Sequence, residues 1–275
     1  MRQTYTLLAV TASLLSLILP IRAKGADELT YRTDMVTSHL FSDIIQDEKG
    51  YIWIATEYGL NKFDGSHFTH YYSTDSPGSL SSNSVRRLGT DNDGNLFALC
   101  DNGIMIYNRI TDSFQEIKDC NGLAVRGIDM TINNITTLIA SEDGPIYRYS
   151  QGILTEYPQP ELLTKDNARI HRIFIDNRNS IWIGTLNNGI YRIDGDGNRI
   201  KHYYEPDMDN ESVNSIVSTP DGTVFVATST KIWRHSTADD RLTPVRHDAA
   251  FSSIRDVIVD SHGRPIVGTY GNGLY

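Results

Sequence analysis

Short apolar runs of strand length alternate with polar turns along most of the chain, and the same kind of turn closes one run after another. Residues 40–46 and 85–90 are apolar-rich and end in Asp-x-x-Gly, at Asp47 to Gly50 and Asp91 to Gly94. An Asp there accepts local backbone N–H groups, and the Gly takes the positive φ that a tight hairpin requires. Each turn leads into a second short run rich in β-branched and aromatic residues, such as Tyr51-Ile-Trp-Ile-Ala and Ile181-Trp-Ile-Gly. That run closes on a small residue followed by Thr, which predicts a close approach by a neighbouring backbone. A third run begins at a Gly-Leu or Gly-Ile pair (60–63, 104–107, 190–193), and a fourth carries an aromatic end (67–72, 200–204). Four strands make one unit.

The unit recurs. Asp47, Gly50, Trp53, Ala55, Thr56, Gly59 and Leu60 return as Asp91, Gly94, Phe97, Gly103 and Ile104, and again as Asp176, Asn179, Trp182, Gly184, Thr185, Gly189 and Ile190. They return last as Asp260, Gly263, Ile266, Gly268, Thr269, Gly273 and Leu274. A weaker copy keeps Gly222, Phe225, Ala227, Thr228 and Ile232; the weakest keeps Ile135, Leu138, Ala140 and Gly144. The turn positions 50, 94, 135, 179, 222 and 263 lie 41 to 44 residues apart. A period of roughly 40–45 residues with four strands each marks a β-propeller. The expected fold is therefore all-β: a propeller of four-stranded blades with six copies present, the last incomplete, in a ring expected to hold seven. Polar linkers at 73–83 and 205–214 join one blade to the next, and Asp207, Asp209, Asp239 and Asp240 read as solvated linker charges.

Recurrence argues for architecture and variation for recognition. Trp53 and Trp182 occupy one strand slot of successive units, so they read as packing between blades rather than as sugar-stacking platforms. Asp47, Asp91, Asp176 and Asp260 read likewise as turn-formers. If the first strand of each blade lines the central channel, the loops between second and third strands open on one face, and these differ from blade to blade. They carry Glu57 and Tyr58, Asp101 and Asn102, Glu142 and Asp143, Leu186 with Asn187 and Asn188, Ser229 and Thr230, and Tyr270 with Gly271 and Asn272. Carboxylates, amides and Tyr suit sugar hydroxyls and sugar faces, which makes this face the candidate ligand or partner surface. Four residues before each turn Asp stand Asp43, Arg87, Arg172, Ser215 and Asp256; five before stand Ser42, Arg86, His171, Asn214 and Arg255. Charge on an innermost strand must be hydrated or paired, so these residues are expected to line a wet channel in acid–base pairs, with Arg87 and Arg172 as further ligand candidates.

Charge narrows the ligand. The formal net charge is −9, and −11 once the first 23 residues, with Arg2 and Arg22 and no acid, are removed. That argues against a nucleic-acid binder and favours neutral or cationic ligands unless a local basic patch overrides it. Arg2 followed by an apolar stretch at 7–19 and small residues near Ala23 reads as a secretory signal, cut after Ala23 or Gly25. Residues 1–23 are thus taken as signal peptide and 24–275 as a propeller working outside the cytoplasm. Export permits a disulfide between Cys100 and Cys120; Cys100 fills a slot that Thr holds in other copies, so a small buried residue is the preferred reading. The eight His residues, including His247, form no metal-ligand spacing, and neither a metal nor a cofactor is expected. His171, near the start of an inner strand, is the one His that a catalytic reading would use.

Asp-x-x-Gly-x-x-Trp-x-Ala/Gly-Thr-x-x-Gly-Leu, with Asn61-Lys-Phe-Asp-Gly65 and Gly78-Ser-Leu-Ser-Ser-Asn-Ser-Val85, resembles the two-component regulator propeller repeat. The resemblance runs from about Leu29 to the end. It implies the periplasmic sensor of a hybrid two-component system controlling polysaccharide use in Bacteroidetes-type bacteria, with an oligosaccharide ligand and a homodimer in the full-length sensor. Membrane contact would run only through parts outside this chain. The sequence stops at Tyr275, one residue after the Gly-Leu of the sixth copy, and is expected to be the amino-terminal piece of such a protein, with no catalysis of its own. An exported lyase of the streptogramin-lyase type, whose turns are similar, and a non-catalytic adhesion propeller are the alternatives. Sialidase boxes have a shorter Asp-to-Gly spacing and fit less well.

Overall fold

The computed structural model describes residues 35–133, 135–159, 161–197, 199–205, 208, 211–246 and 253–275. The signal segment at 1–23, Asp207, Asp209 and His247 lie outside them. Blade one is β1 (Phe41–Gln46), β2 (Ile52–Thr56), β3 (Gly59–Phe63) and β4 (Phe68–Tyr71). Blade two is β5 (Val85–Thr90), β6 (Leu96–Cys100), β7 (Gly103–Asn108) and β8 (Ser113–Asp119). Blade three is β9 (Gly127–Ile132), β10 (Thr137–Ser141), β11 (Ile146–Ser150) and β12 (Ile153–Glu156), followed by a one-turn helix, α1 (Glu161–Lys165). Blade four is β13 (Ile170–Ile175), β14 (Ile181–Thr185), β15 (Ile190–Ile193) and β16 (Ile200–Tyr203). Blade five is β17 (Val213–Ser218), β18 (Val224–Thr228), β19 (Ile232–Ser236) and β20 (Arg241–Pro244). The sixth sheet has three strands, β21 (Ile254–Val259), β22 (Pro265–Thr269) and the two-residue β23 (Gly273–Leu274). Strands pair antiparallel in chain order within every blade, as the repeat predicts. The weakest copy, in blade three, is a full four-stranded blade.

The first strands face the axis and pack in succession, β1 on β5, β5 on β9, β9 on β13, β13 on β17 and β17 on β21. The second strands are buried on both faces, which is why they read as continuous apolar runs. Because side chains alternate, each such strand serves two cores. Trp182 packs with Val213, Val226 and Trp233 of blade five, while its neighbour Ile183 packs with Leu138 and Ile146 of blade three. The hydrophobic interior is thus a set of slabs between adjacent blades. Trp53 and Trp182 are fully buried within two of them, as expected for architectural residues.

The repeated turn works through one carboxylate. Asp176 Oδ1 accepts from the N–H groups of Arg178 and Ser180, at 2.9 and 2.8 Å, while Oδ2 accepts the Trp182 indole N–H at 2.9 Å. Asp47 does the same for Lys49, Tyr51 and Trp53. Asp91 and Asp260 keep the turn bonds, but Phe97 and Ile266 offer no indole N–H, and Oδ2 turns to Asn95 and Arg264. In blade three Asn133 takes the position, accepting from Ile135 and Thr136. Gly50, Gly94 and Gly263 hold positive φ as predicted, and Asn179 takes their place at +61°. Thr56, Thr185 and Thr269 each donate to the carbonyl of a Gly at or just before the start of the third strand. Cys100 is buried in that slot and Cys120 is exposed; both are free thiols. The close approach at Gly184 is made by a side chain rather than a backbone: a Cβ there would sit 2.5 Å from Val213 Cγ1 of blade five.

Two joints carry a further clasp. Asp240, expected to be a solvated linker charge, reaches from the β19–β20 turn into blade four. It accepts from Arg192, Tyr203 and His235 at 2.7, 2.6 and 2.9 Å and pairs with Lys201 at 2.8 Å, beside Trp182. Asp112 occupies the matching place between blades one and two, bonded to the Tyr71 and Tyr107 hydroxyls beside Trp53. Lys201, Tyr203, His235 and Arg192 hold the Asp240 carboxyl far below its usual range despite the opposing effect of burial. Blades two and three are joined differently. Their outer strands pair in parallel at Ile153 with Lys118 and Leu154 with Asp119, merging two sheets into one of eight strands.

Asp176→Ala leaves the Trp182 indole N–H buried without a partner and opens the turn, and is expected to cost about 2–3 kcal/mol in urea unfolding. Asp91→Ala loses only turn bonds and is expected to cost about 1 kcal/mol less. Equal losses would remove the indole from the account.

Candidate functional site

Each inner strand changes register one residue before its axial residue. The shift falls between Phe41 and Asp43, Val85 and Arg87, Ile170 and Arg172, Val213 and Ser215, and Ile254 and Asp256; in blade three it falls opposite Ala140 and Ser141. A bulge re-aims side chains at such a point. The residues after it turn to the axis and form a ring: Asp43, Arg87, Asp129, Arg172, Ser215 and Asp256.

Neighbours in the ring satisfy one another across blades. Arg87 Nε lies 3.3 Å from Asp129 Oδ1, and Ser215 Oγ donates to Asp256 at 2.6 Å. Asp43 Oδ2 accepts the N–H of Leu88 in blade two, and Asp129 Oδ2 the N–H of Ile173 in blade four, both at 2.9 Å. Arg172 has no carboxylate partner among the described residues; its Nε donates to the Asn214 carbonyl at 2.6 Å and its Nη1 to the His171 carbonyl at 2.9 Å. The side chains of Arg87 and Asp129 keep 20% and 10% of their exposure, so solvent reaches the ring only in part. Asp129 escaped the sequence count because Asn133 replaces the turn Asp from which the count starts; four residues before Asn133 is Asp129.

Protonation follows from confinement. Burial raises the carboxyls of Asp43 and Asp256 above the ordinary 3.8 even though Arg87 pulls both down. Burial opposes the charge of Arg87, but Asp129, Asp43 and Asp256 outweigh it. Arg172 is lowered to about 10, by burial first and then by Arg87.

Of the bulged residues, Ser42, Arg86, His171 and Arg255 share one cavity with Arg87 and Arg172 of the ring. They reach the mouth, where the loops between second and third strands open. Arg86 pairs with Asp101 at 2.5 Å and lies 3.8 Å from Glu142, while Arg126 holds Glu142 and Asp143. Arg255 is on the exposed rim, its guanidinium 5.2 Å from the Tyr270 ring. His171 Nδ1–H donates to the Val213 carbonyl at 2.9 Å, and burial, helped by Arg172, lowers it to about 4. Together they line a funnel of about 810 Å³ that includes Glu57, Arg86, Arg87, Glu142, Asp143, Arg169, His171, Arg172 and Arg255.

The loop candidates divide. Glu57 is exposed on the funnel wall, and Tyr58 is 60% exposed, edge-on to Tyr72. Tyr270 is 65% exposed and Asn102 and Asn272 are exposed. Asn187 is exposed and faces the Arg169 N–H at 3.5 Å. Asn188 braces its own loop, donating to the Asp166 carbonyl at 2.7 Å and to Thr185. Arg169, which the loop-by-loop comparison did not single out, joins the funnel from the segment before β13. Among the described residues no three His, Cys, Asp or Glu side chains come together to hold a metal. No helix among them is long and apolar enough to cross a membrane.

No family model matches the sequence, and neither does any curated protein. Solved structures are similar in fold. The extracellular domain of BT4673 from B. thetaiotaomicron, described as a hybrid two-component system, matches with a TM-score of 0.69 at 22% identity. The match covers 90% of this chain and 32% of that one. The corresponding domain of BT3049 from the same organism matches at 0.68 and 19% identity, over 89% of this chain and 41% of that one. Virginiamycin B lyase from Staphylococcus aureus, inactivated and solved with quinupristin, matches at 0.64 and 17% identity, over 84% and 82%. The chain spans less than half the length of the two extracellular domains. It is a β-propeller of the architecture they share.

Raised carboxyl pKa values mean that the folded chain holds protons the unfolded chain has released. The stabilising contribution of Asp43 is therefore full below pH 3.8 and is lost as the pH rises through its folded value. Relative to Asp43→Asn, the wild type is expected to lose stability as the pH is raised from about 3.8 toward 7, read by urea unfolding across that range. A pH-independent difference would contradict the burial assigned to this ring.

Proposed function

We propose that this chain is the ligand-sensing propeller of an exported hybrid two-component signal-transduction protein, and that the funnel takes an oligosaccharide. One observation carries the reading. The repeat builds similar turns at one end of the blades, while the other end presents charged side chains that differ blade by blade around a funnel. The repeat motif and the architecture shared with sensor domains support the assignment. In it the chain works in the periplasm, binds no nucleic acid, and belongs to a homodimer. The parent is anchored in the inner membrane and controls polysaccharide-utilisation genes through segments outside this chain.

A propeller lyase is the second reading, favoured by the likeness to virginiamycin B lyase over most of both chains and by His171 in the funnel. A base lowered to about 4 is poorly matched to proton abstraction near neutral pH, which weighs against it. Calorimetric titration with plant and host disaccharides, each sample then analysed by mass spectrometry, separates the readings. Binding with the ligand recovered intact is expected, and turnover of any sugar would move the assignment to an enzyme. Silence across the panel would end the sugar-sensing reading.

A further inference from the structure

The chain is acidic, yet its funnel holds guanidiniums without acidic partners. Among the described residues, Arg86 and Arg87 are matched by Asp101 and Asp129, whereas Arg169, Arg172 and Arg255 pair with no carboxylate. All three line the same cavity. Arg172 is the most confined. Two backbone carbonyls fix its Nε and Nη1, which aligns the planar group in advance and leaves Nη2 uncommitted. Held in that way, Nη2 and the second N–H of Nη1 remain at the end of the group as two donors for the paired oxygens of a carboxylate or sulfate. Its pKa is depressed by burial and by Arg87 although Asp129, Asp256 and Asp43 pull the other way, and an anion seated on it would add to their attraction.

We infer that the funnel recognises an acidic sugar, whose single carboxylate or sulfate ester seats on Arg172, with Arg169 and Arg255 on the surrounding wall. The inference rests on the sugar-sensing reading and narrows its ligand class. The rest of the wall sets the limit. Glu57, Glu142 and Asp143 line the same funnel, and Asp43, Asp129 and Asp256 lie in the ring below, so a long polyanion would be repelled along most of its length. One anionic group on an otherwise neutral, hydroxyl-rich body fits both features.

The test uses matched probes against the full chain: cellobiose against cellobiouronic acid, and lactose against lactose 6′-sulfate, by isothermal titration calorimetry. The acidic member of at least one pair is expected to bind at least about tenfold more tightly than its neutral partner. That advantage is expected to shrink as NaCl is raised from about 50 to 500 mM. Arg172→Gln should erase it, and Arg172→Lys should restore only part of it, because an ammonium lacks the fork. Arg172→Gln removes a charge that Arg87 repels and that Asp129, Asp256 and Asp43 attract, so thermal melting checks its fold; Arg169→Gln and Arg255→Gln, at exposed positions, give the same reading independently. Uronate and sulfate arms distinguish the two sources of the anion. Equal binding of neutral and acidic partners, or full binding by all three Gln variants, would overturn the acidic ligand and leave the sugar sensor standing. No binding by either member of any pair would remove both.

Discussion

A strand that is apolar on both faces can only exist between two other layers, and this chain makes that demand once per repeat. The second strands carry Trp, Ile, Phe and Leu with no polar face to turn toward water, so each blade needs a neighbour on either side. The radial arrangement follows from this constraint, because stacked blades that also twist bend around an axis. It also fixes the first strands on the inside, where their backbones converge and side chains have least room. The bulge in each first strand resolves that crowding by sending one side chain to the axis and its neighbour to the mouth.

Charge at the axis is tolerated because it is shared between blades. A carboxylate that accepts an N–H from the next inner strand, as Asp43 does from Leu88 and Asp129 from Ile173, is both neutralised in part and used as a rivet. Arg87 completes the compensation on one side of the ring, whereas Arg172 bonds to backbone carbonyls and meets Asp129, Asp256 and Asp43 only through longer-range attraction. That imbalance gives the funnel its chemical character.

Much of this was legible in the sequence, and the illegible parts share a cause. The period, the hairpin turns and the buried Trp slots could be read because each depends on local contacts repeated in the chain, such as Asp176 with Trp182 six residues later. Asp129 was hidden because Asn133 performs the turn function with a different side chain. The rim position of Arg255 was hidden because the bulge breaks the two-residue alternation from which facing is inferred. Asp240 looked like a solvated acid because its partners Arg192, Lys201 and Tyr203 lie in the preceding blade, 37 to 48 residues away. The parallel pairing of β8 with β12 likewise joins outer edges that carry no repeated signal.

The joints between blades are not alike, and this has a mechanical consequence. Carboxylate clasps at Asp112 and Asp240 lock blade one to two and blade four to five. Main-chain bonds between outer strands lock two to three, and Leu163 of α1 wedges apolar contacts between three and four. Hydrogen-bonded clasps resist shear because their geometry is directional, while a greasy slab can slide at little cost. Blades three and four combine both kinds of contact, since the N–H groups of Ile173 and Ile175 donate to Asp129 and Thr131 and Asn133 donates to Asn179 across the same joint. Arg169, His171 and Arg172 stand on one bank of that joint, and Glu142 and Asp143 on the other, so a molecule bridging the banks would tie two blades together at the mouth as the inner-strand bonds tie them at the axis.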